Sequence, residues 1–212
     1  MKGLLLKDIY NLKRLGKQYA VICAGMLIWS AFMKNYSFFS MMIMLNGIMS
    51  VISSFSFDEA AHFEKYALTL PVTRRELVQA KYILLLTFLG GSFLIGTAGS
   101  ILLNLIIERG ITELPEQLIS AASVGCLFLL AFSIMIPGVF KLGVEKARML
   151  LVCIYVGVFG LVWGGIYLLR ELGIQISDSD ASKFFGAAAV VVLVLVFISY
   201  RVSIKIVEKK EW

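Results

Sequence analysis

The sequence has a single histidine, His62, three cysteines without a CxxC pair, and no phosphate-binding loop. A lone histidine cannot form a metal site or a catalytic triad. The only Gly-Lys pair, Gly16-Lys17, has Asn11 in place of the leading glycine of GxxxxGK(S/T) and Gln18 in place of the final Ser or Thr. We therefore predict that the chain is not an enzyme and holds no cofactor or metal.

Charge is absent from six long apolar runs, which together hold 127 of the 212 residues. A helix rises about 1.5 Å per residue, so roughly 20 residues cross a hydrocarbon core of about 30 Å. Only helices and closed barrels satisfy the backbone in lipid, and the runs lack the alternation of barrel strands. The sequence thus predicts an all-α, polytopic membrane protein, a single domain over residues 1–212, with transmembrane helices at about 18–33, 36–57, 82–107, 117–138, 149–169 and 184–204.

The uncharged runs also exclude two functional classes. Proton- or sodium-coupled carriers depend on charged residues within the membrane, and an intramembrane protease needs acid–base side chains there. No apolar run contains His, Asp, Glu, Lys or Arg. A secondary transporter and an intramembrane protease are therefore not expected.

The basic residues predict the orientation of the chain. Segments 1–17, 58–81, 141–148 and 201–212 carry 16 of the 20 Lys and Arg residues. Loops rich in Lys and Arg stay in the cytosol, so both termini are expected inside. Anionic lipids attract basic residues at the inner surface, and the net charge of +6 therefore requires no nucleic-acid partner.

Residues 1–17 are predicted to form an amphipathic helix in the cytosolic interface. An apolar set recurs at helical spacing, while Lys and Arg residues provide a basic side. The apolar set is Leu4, Leu5, Ile9, Leu12 and Leu15. A frayed tail is the alternative.

The segment 58–81, "DEAAHFEKYALTLPVTRRELVQAK", is the longest predicted cytosolic loop. Residues 56–59 match a capping box, and Phe63 and Tyr66 lie three residues apart on one helical face. Pro71 ends that short helix, because the residue before a proline is pushed away from helical geometry. A second capping box, residues 73–76, begins a helix that continues into span 3. Such a segment either transmits a movement of a cytosolic partner to a transmembrane helix, or packs on lipid headgroups and binds nothing.

Three features resemble the small six-span permeases of bacterial ATP-binding-cassette exporters of the type-2 class. They are the basic N-terminal helix, the short helix followed by "LPVTRRELVQAKY" and a span, and the turn "PGVFKLGVEKAR" after span 4. The pattern is most similar to permeases that export phenol-soluble modulins and to those of peptide-antibiotic resistance operons. The resemblance implies a subunit of the bacterial plasma membrane that exports amphipathic peptides or confers resistance to them. ATP and Mg²⁺ would be bound by a separate ATPase subunit.

In the family that this pattern resembles, the helix before "LPV(S/T)R" is the coupling helix, which docks in a groove of the ATPase. The resemblance therefore places the coupling helix from about Asp58 to Leu68, between spans 2 and 3. The residues implied to contact the ATPase or to set the turn are Glu59, His62, Phe63, Lys65, Tyr66, Pro71, Arg74 and Arg75. A second, smaller contact is implied at Lys141, Gly143, Glu145 and Lys146.

Small and polar residues form stripes on three predicted spans. Span 2 carries a polar stripe of Asn46, Ser50, Ser53 and Ser54. It lies among methionines and either lines a path for cargo or makes ordinary helix–helix hydrogen bonds. Ser92, Gly96 and Ser100 in span 3 permit close backbone approach. Gly157, Gly160 and Gly164 in span 5 serve either packing within one subunit or contact between two permeases, since spans 1 and 5 meet in dimers of the family.

Two alternatives from other classes remain. The first is the six-span substrate-capture component of a vitamin importer, which would need a polar pocket and developed outer loops. Here the outer loops are short and the elaborated loop is cytosolic. The second is a membrane immunity protein that binds its toxin without transport.

Overall fold

The computed structural model describes residues 2–67, 69, 72–107, 114–171 and 178–210. These residues form eight α-helices and no β-strand, which confirms the predicted all-α class. The helices are α1 (Lys2–Lys13), α2 (Gly16–Met33), α3 (Tyr36–Ala60), α4 (Phe63–Ala67), α5 (Arg74–Ile107), α6 (Leu114–Leu142), α7 (Val144–Glu171) and α8 (Asp178–Lys209).

Several helices are long and apolar enough to cross a membrane. Within the described ranges, α3, α5, α6 and α8 meet this condition, and α1 with α2 would make a fifth span if the bent pair is counted as one. The 28-residue helix α7 contains the predicted span 149–169. The described residues thus hold four or five candidate spans, and the arrangement of six spans stays a prediction.

The N-terminal helix differs from the predicted amphipathic pattern. α1 and α2 meet at an angle of 61°. α1 contacts α3 and α5 through the face that holds Leu4, Asp8 and Leu12, all of them buried. Ile9, which was expected on the apolar face, is 51% exposed. The buried residues of α1 therefore recur every four positions, and the middle one, Asp8, carries a carboxylate.

A tight turn joins α2 to α3. Lys34 ends α2 in the left-handed region, with φ at 53°. The side chain of Asn35 then accepts a hydrogen bond from the backbone N–H of Phe38 at 3.2 Å, which satisfies one of the orphan donors at the start of α3. Ser30 donates to the carbonyl oxygen of Asn35 at 2.8 Å. These bonds let α2 pack back onto α3.

The chain forms two compact units, one with the described residues up to Gly125 and Lys210, the other with Cys126–Lys209. In the first unit α3 and α5 pack with small residues between them. A Cβ atom on Gly96 would lie 3.0 Å from the Cα atom of Ser40. A Cβ atom on Gly47 would lie 1.8 Å from Oγ of Ser92. The predicted small-residue stripe of span 3 therefore faces α3, as close backbone approach requires.

The short helix begins later than the sequence predicted. The capping box at residues 56–59 is wrong, because α3 continues to Ala60 and Ser56 donates to the carbonyl oxygen of Ile52 at 3.0 Å. Such back-bonding keeps a serine inside a helix. His62 then reverses the chain with φ at 48°, a left-handed conformation that histidine adopts more readily than most residues. α4 follows as a helix of five residues, Phe63–Ala67.

The second capping box is confirmed. The backbone N–H of Thr73 donates to Glu76 at 2.9 Å, and the backbone N–H of Glu76 donates to the Thr73 hydroxyl at 3.3 Å. α5 starts at Arg74 and runs unbroken to Ile107, as predicted. The predicted proline turn at Pro71 lies outside the described residues.

The second unit is built from the later part of α6 with α7 and α8. Phe132, Met135 and Ile136 are fully buried. The hydroxyl of Ser199 on α8 donates to the carbonyl oxygen of Ser133 on α6. Gly143 joins α6 to α7 with φ at 87°, a conformation that favours glycine.

Candidate functional site

The residues predicted to contact an ATPase surround α4. Glu59, His62 and Lys65 are exposed, and Tyr66 is 60% exposed. The helix is anchored by Ala67, which is completely buried, and it contacts the end of α3. α4 is therefore a short element that packs on α3 through one buried residue and presents polar groups and one aromatic ring outward.

The turn residues beyond α4 are placed only in part. Arg74 is the first residue of α5 and half-buried, and Arg75 is exposed. The neighbouring Glu76 is held by Thr73, whose hydrogen bonds lower the pKa of its carboxyl group. This capping box fixes the start of α5 just after the segment that would receive a partner.

The two aromatic residues of α4 differ in their surroundings. Their ring centroids lie 6.2 Å apart. Phe63 is half-buried, and the ammonium group of Lys7 from α1 lies 3.4 Å from its ring centroid, in the geometry of a cation–π contact. Tyr66 keeps most of its surface exposed. Phe63 thus already has a partner within the chain, and Tyr66 is the ring that is open to a second protein.

Four charged side chains meet beside α4, and we call them the ion cluster: Lys7, Asp8, Asp58 and Lys81. Lys7 and Asp8 come from α1, Asp58 from the end of α3 and Lys81 from α5. Asp8 is 1% exposed, and Asp58 and Lys81 are 7% exposed each. The two cations and two anions balance, so the cluster brings three helices together without a net buried charge.

Lys81 is the centre of the ion cluster. Its Nζ atom lies 3.1 Å from Oδ2 of Asp8, 2.5 Å from Oδ2 of Asp58 and 2.7 Å from Oγ of Ser54. A lysine ammonium group has three N–H donors, and three acceptors surround it here. Burying this cation is therefore compensated by a full set of charge-assisted hydrogen bonds.

Lys7 connects the ion cluster to α4. Its ammonium group pairs with Asp58 and lies 3.2 Å from Oδ1 of Asp8, while it also covers the ring of Phe63. Removing one member of a buried ion pair typically costs about 3–5 kcal/mol, whereas a cation–π contact contributes about 0.5–2 kcal/mol. Removing a charge from the junction of α1, α3 and α5 is therefore expected to cost more than removing the cation–π contact to α4.

The sequence contains a pattern that points to a buried charge on α1, though not to its partners. Asp8 lies midway between Leu4 and Leu12 on one helical face, and Asp58 and Lys81 stand directly beside spans 2 and 3. A carboxylate on the apolar face of a helix calls for a buried cation. The predicted division of α1 into apolar and basic residues gave no role to Asp8, the only acid in this helix.

The second implied contact surface lies at the start of α7 and the end of α6. Lys141, Glu145 and Lys146 are exposed, while the neighbouring Val144 is 4% exposed. Val144 fixes the turn, and the three charged side chains lie on the outside. This surface belongs to the second compact unit.

The polar stripe of α3 does not act as one surface. Asn46 and Ser50 bond to carbonyl oxygens of their own helix, at 3.0 and 3.1 Å. Ser53 likewise donates to Met49, at 2.9 Å, and its oxygen is 3.5 Å from the Tyr19 hydroxyl. Ser54 belongs to the surroundings of Lys81. A role in a cargo path stays a prediction for the first three residues, and Ser54 has a structural task.

The glycine stripe of α7 packs against nothing in the described part of the chain. A Cβ atom placed on Gly157, Gly160 or Gly164 would find no atom within 4 Å. Packing within the subunit is thus not observed for these three glycines, and contact with a second permease stays a prediction.

Comparison with known proteins gives one match. A family model described as "ABC-2 family transporter protein" matches residues 3–208, almost the whole chain. No curated protein and no solved structure matches significantly.

Proposed function

Because the chain belongs to the ABC-2 family of transporter membrane proteins, we propose that it is the permease subunit of an ATP-driven exporter. The family implies an ATPase partner, and the sequence has no phosphate-binding loop of its own. The permease would form the path through the membrane, and the separate subunit would bind ATP and Mg²⁺.

We propose that α4 is the coupling helix. The observation that supports this most strongly is the exposed surface formed by Lys65 and Tyr66 of α4 and by His62 just before it, on a helix anchored by a buried residue. An exposed tyrosine beside charged residues is a typical centre for a protein interface, because tyrosine is enriched among the residues that dominate binding energy. Glu59 and Arg75 would lie at the rim, and Lys141 and Glu145 would form the smaller second contact.

We propose amphipathic peptides as the cargo. The sequence resemblance points to this class, and the methionines around Asn46 and Ser50 offer an apolar surface that adapts to variable side chains. In this proposal the exporter sits in the bacterial plasma membrane with both termini in the cytosol. Two permeases pair through α7, where the exposed glycines allow close approach of backbones.

The proposal is tested by co-expressing the chain with its candidate ATPase and reconstituting both in liposomes. We expect the two proteins to co-purify and labelled amphipathic peptide to be moved only when ATP is present. Tyr66→Ala should weaken the complex by roughly thirtyfold, which corresponds to about 2 kcal/mol for an aromatic anchor. Phe32→Ala is the matched control, because Phe32 is 81% exposed on a predicted span, away from α4.

Two outcomes would contradict the proposal. A wild-type chain that binds no ATPase is not a permease of this kind. Protection of cells from a peptide by the chain alone, without ATP-dependent movement, would instead favour the membrane immunity protein.

A further inference from the structure

We propose that the N-terminal helix α1 is a working part of the coupling device, and that Lys7 joins it to α4 through Phe63. This inference rests on the proposed function of α4. It divides the two aromatic residues, with Tyr66 contacting the ATPase and Phe63 acting as the internal joint. Lys7 is accordingly a positioning residue.

The geometry supports an internal role for Phe63. The Lys7 ammonium group lies 3.4 Å from its ring centroid, so one ring face is already covered within the chain. Phe63 is also half-buried, whereas Tyr66, one turn later, is 60% exposed. Because one face of the Phe63 ring already contacts Lys7, we expect this ring to connect α4 to α1 rather than to bind the ATPase.

The ion cluster determines where a displacement of α4 would go. Lys7 pairs with Asp58 at the end of α3 and with Asp8 on α1, and Lys81 of α5 pairs with both acids. Any shift of Lys7 therefore acts on three helices at once.

The relative strength of these contacts makes α4 the movable member. Lys81 is surrounded by three acceptors and is buried, so α1, α3 and α5 form one rigid junction. α4 meets the ion cluster through the ring of Phe63 under the Lys7 ammonium group, and it is also held by the buried Ala67. We expect a movement of the ATPase to tilt α4 about this contact. The tilt would displace α1, α3 and α5 together and leave the ion cluster intact.

The test compares Lys7→Met and Phe63→Leu with Tyr66→Ala in the reconstituted complex, measuring ATPase binding and peptide moved per ATP hydrolysed. Lys7→Met and Phe63→Leu should keep the bound ATPase but lower transport per ATP by roughly three- to thirtyfold, the range to which a cation–π contact converts. Tyr66→Ala should lose ATPase binding first. Lys13→Met, at an exposed position on the same helix, should behave as wild type.

Two further variants distinguish loss of the Lys7–Phe63 contact from a general loss of folding or activity. Lys7→Arg retains the cation over the ring and should restore most of the coupling lost in Lys7→Met. The double variant Lys7→Met with Phe63→Leu should be no worse than Lys7→Met alone, because Lys7→Met has already removed the contact that Phe63→Leu removes. Should Lys7→Met fail to fold, Phe63→Leu alone still tests the joint, since it leaves the ion cluster intact.

Wild-type transport per ATP in Phe63→Leu would overturn the inference, as would loss of ATPase binding in Phe63→Leu equal to that in Tyr66→Ala. Either result leaves the proposed function standing, because the wild-type complex would still form and transport. Failure of the wild-type chain to bind any ATPase is a different result and removes the proposed function itself.

Discussion

At the scale of single residues, the ion cluster is the feature that most constrains the structure. A buried ion pair is weak evidence for stability by itself, since its desolvation offsets much of the attraction. Its effect is specificity: Asp8 and Asp58 accept only a neighbour that brings a cation to the same point, and Lys81 does so. We therefore expect the N-terminal helix to keep one register against α3 and α5.

We predict that Lys81→Met lowers the free energy of unfolding by about 3–5 kcal/mol, because it leaves two buried carboxylates with one cation. The check is SDS titration in mixed micelles. Lys65→Met is the matched control, since Lys65 is exposed and should change stability little. Adding Asp8→Asn to Lys81→Met should recover part of the loss, and equal stability of Lys81→Met and wild type would contradict the structural role of the cluster.

A feature could be predicted from the sequence when the residues that cause it lie close together in the chain. The capping box at Thr73 and Glu76 involves residues three apart, and the sequence identified it correctly. Ser56 fits the same motif, but the start of a helix and a serine bonded to its own preceding turn look alike in sequence. The ion cluster joins residues up to 73 positions apart, and no local pattern states which acid meets which lysine.

At the scale of helices, uncharged length was enough to predict where long helices lie. The predicted span 36–57 lies within α3 (Tyr36–Ala60), and 82–107 lies within α5 (Arg74–Ile107). Lipid leaves the backbone no alternative to the helix, so composition decides. The position of α4 was less predictable, because the end of α3 is set by the chain reversal at His62.

Close packing of α3 against α5 gives a prediction at this scale. Gly47→Ala should destabilise the first unit by about 1–3 kcal/mol, because the new Cβ atom would overlap Oγ and Cβ of Ser92, at 1.8 and 2.8 Å. Thermal unfolding in nanodiscs would measure it. Gly90→Ala, where no atom lies within 4 Å, is the control and should leave the midpoint unchanged or raised. If both variants unfold at the same temperature, α3 and α5 are not packed in this way.

At the scale of the whole molecule, the family and the composition agree on a multi-pass membrane protein. The orientation rests on the 16 basic residues in the four predicted inner segments. The coupling proposal depends on it, since α4 can meet an ATPase only in the cytosol.

We predict that a cysteine introduced by Lys65→Cys reacts with a membrane-impermeant maleimide only after the cells are opened. The native cysteines Cys23, Cys126 and Cys153 lie in predicted spans, so they should be replaced beforehand to give a clean background. A cysteine placed at residue 110, in a predicted outer loop, provides the reverse control. Labelling of position 65 in intact cells would invert the topology and remove the coupling role.

We propose that this chain transports only when a separate ATPase drives it. The most direct measurement is ATP hydrolysis by the purified chain, by the ATPase subunit alone, and by the two together in liposomes with and without amphipathic peptide. We predict no hydrolysis by the chain alone, and a complex whose rate changes when the permease is added and again when peptide is present. ATP hydrolysis by the chain alone, or an ATPase rate that the permease leaves unchanged, would contradict the account.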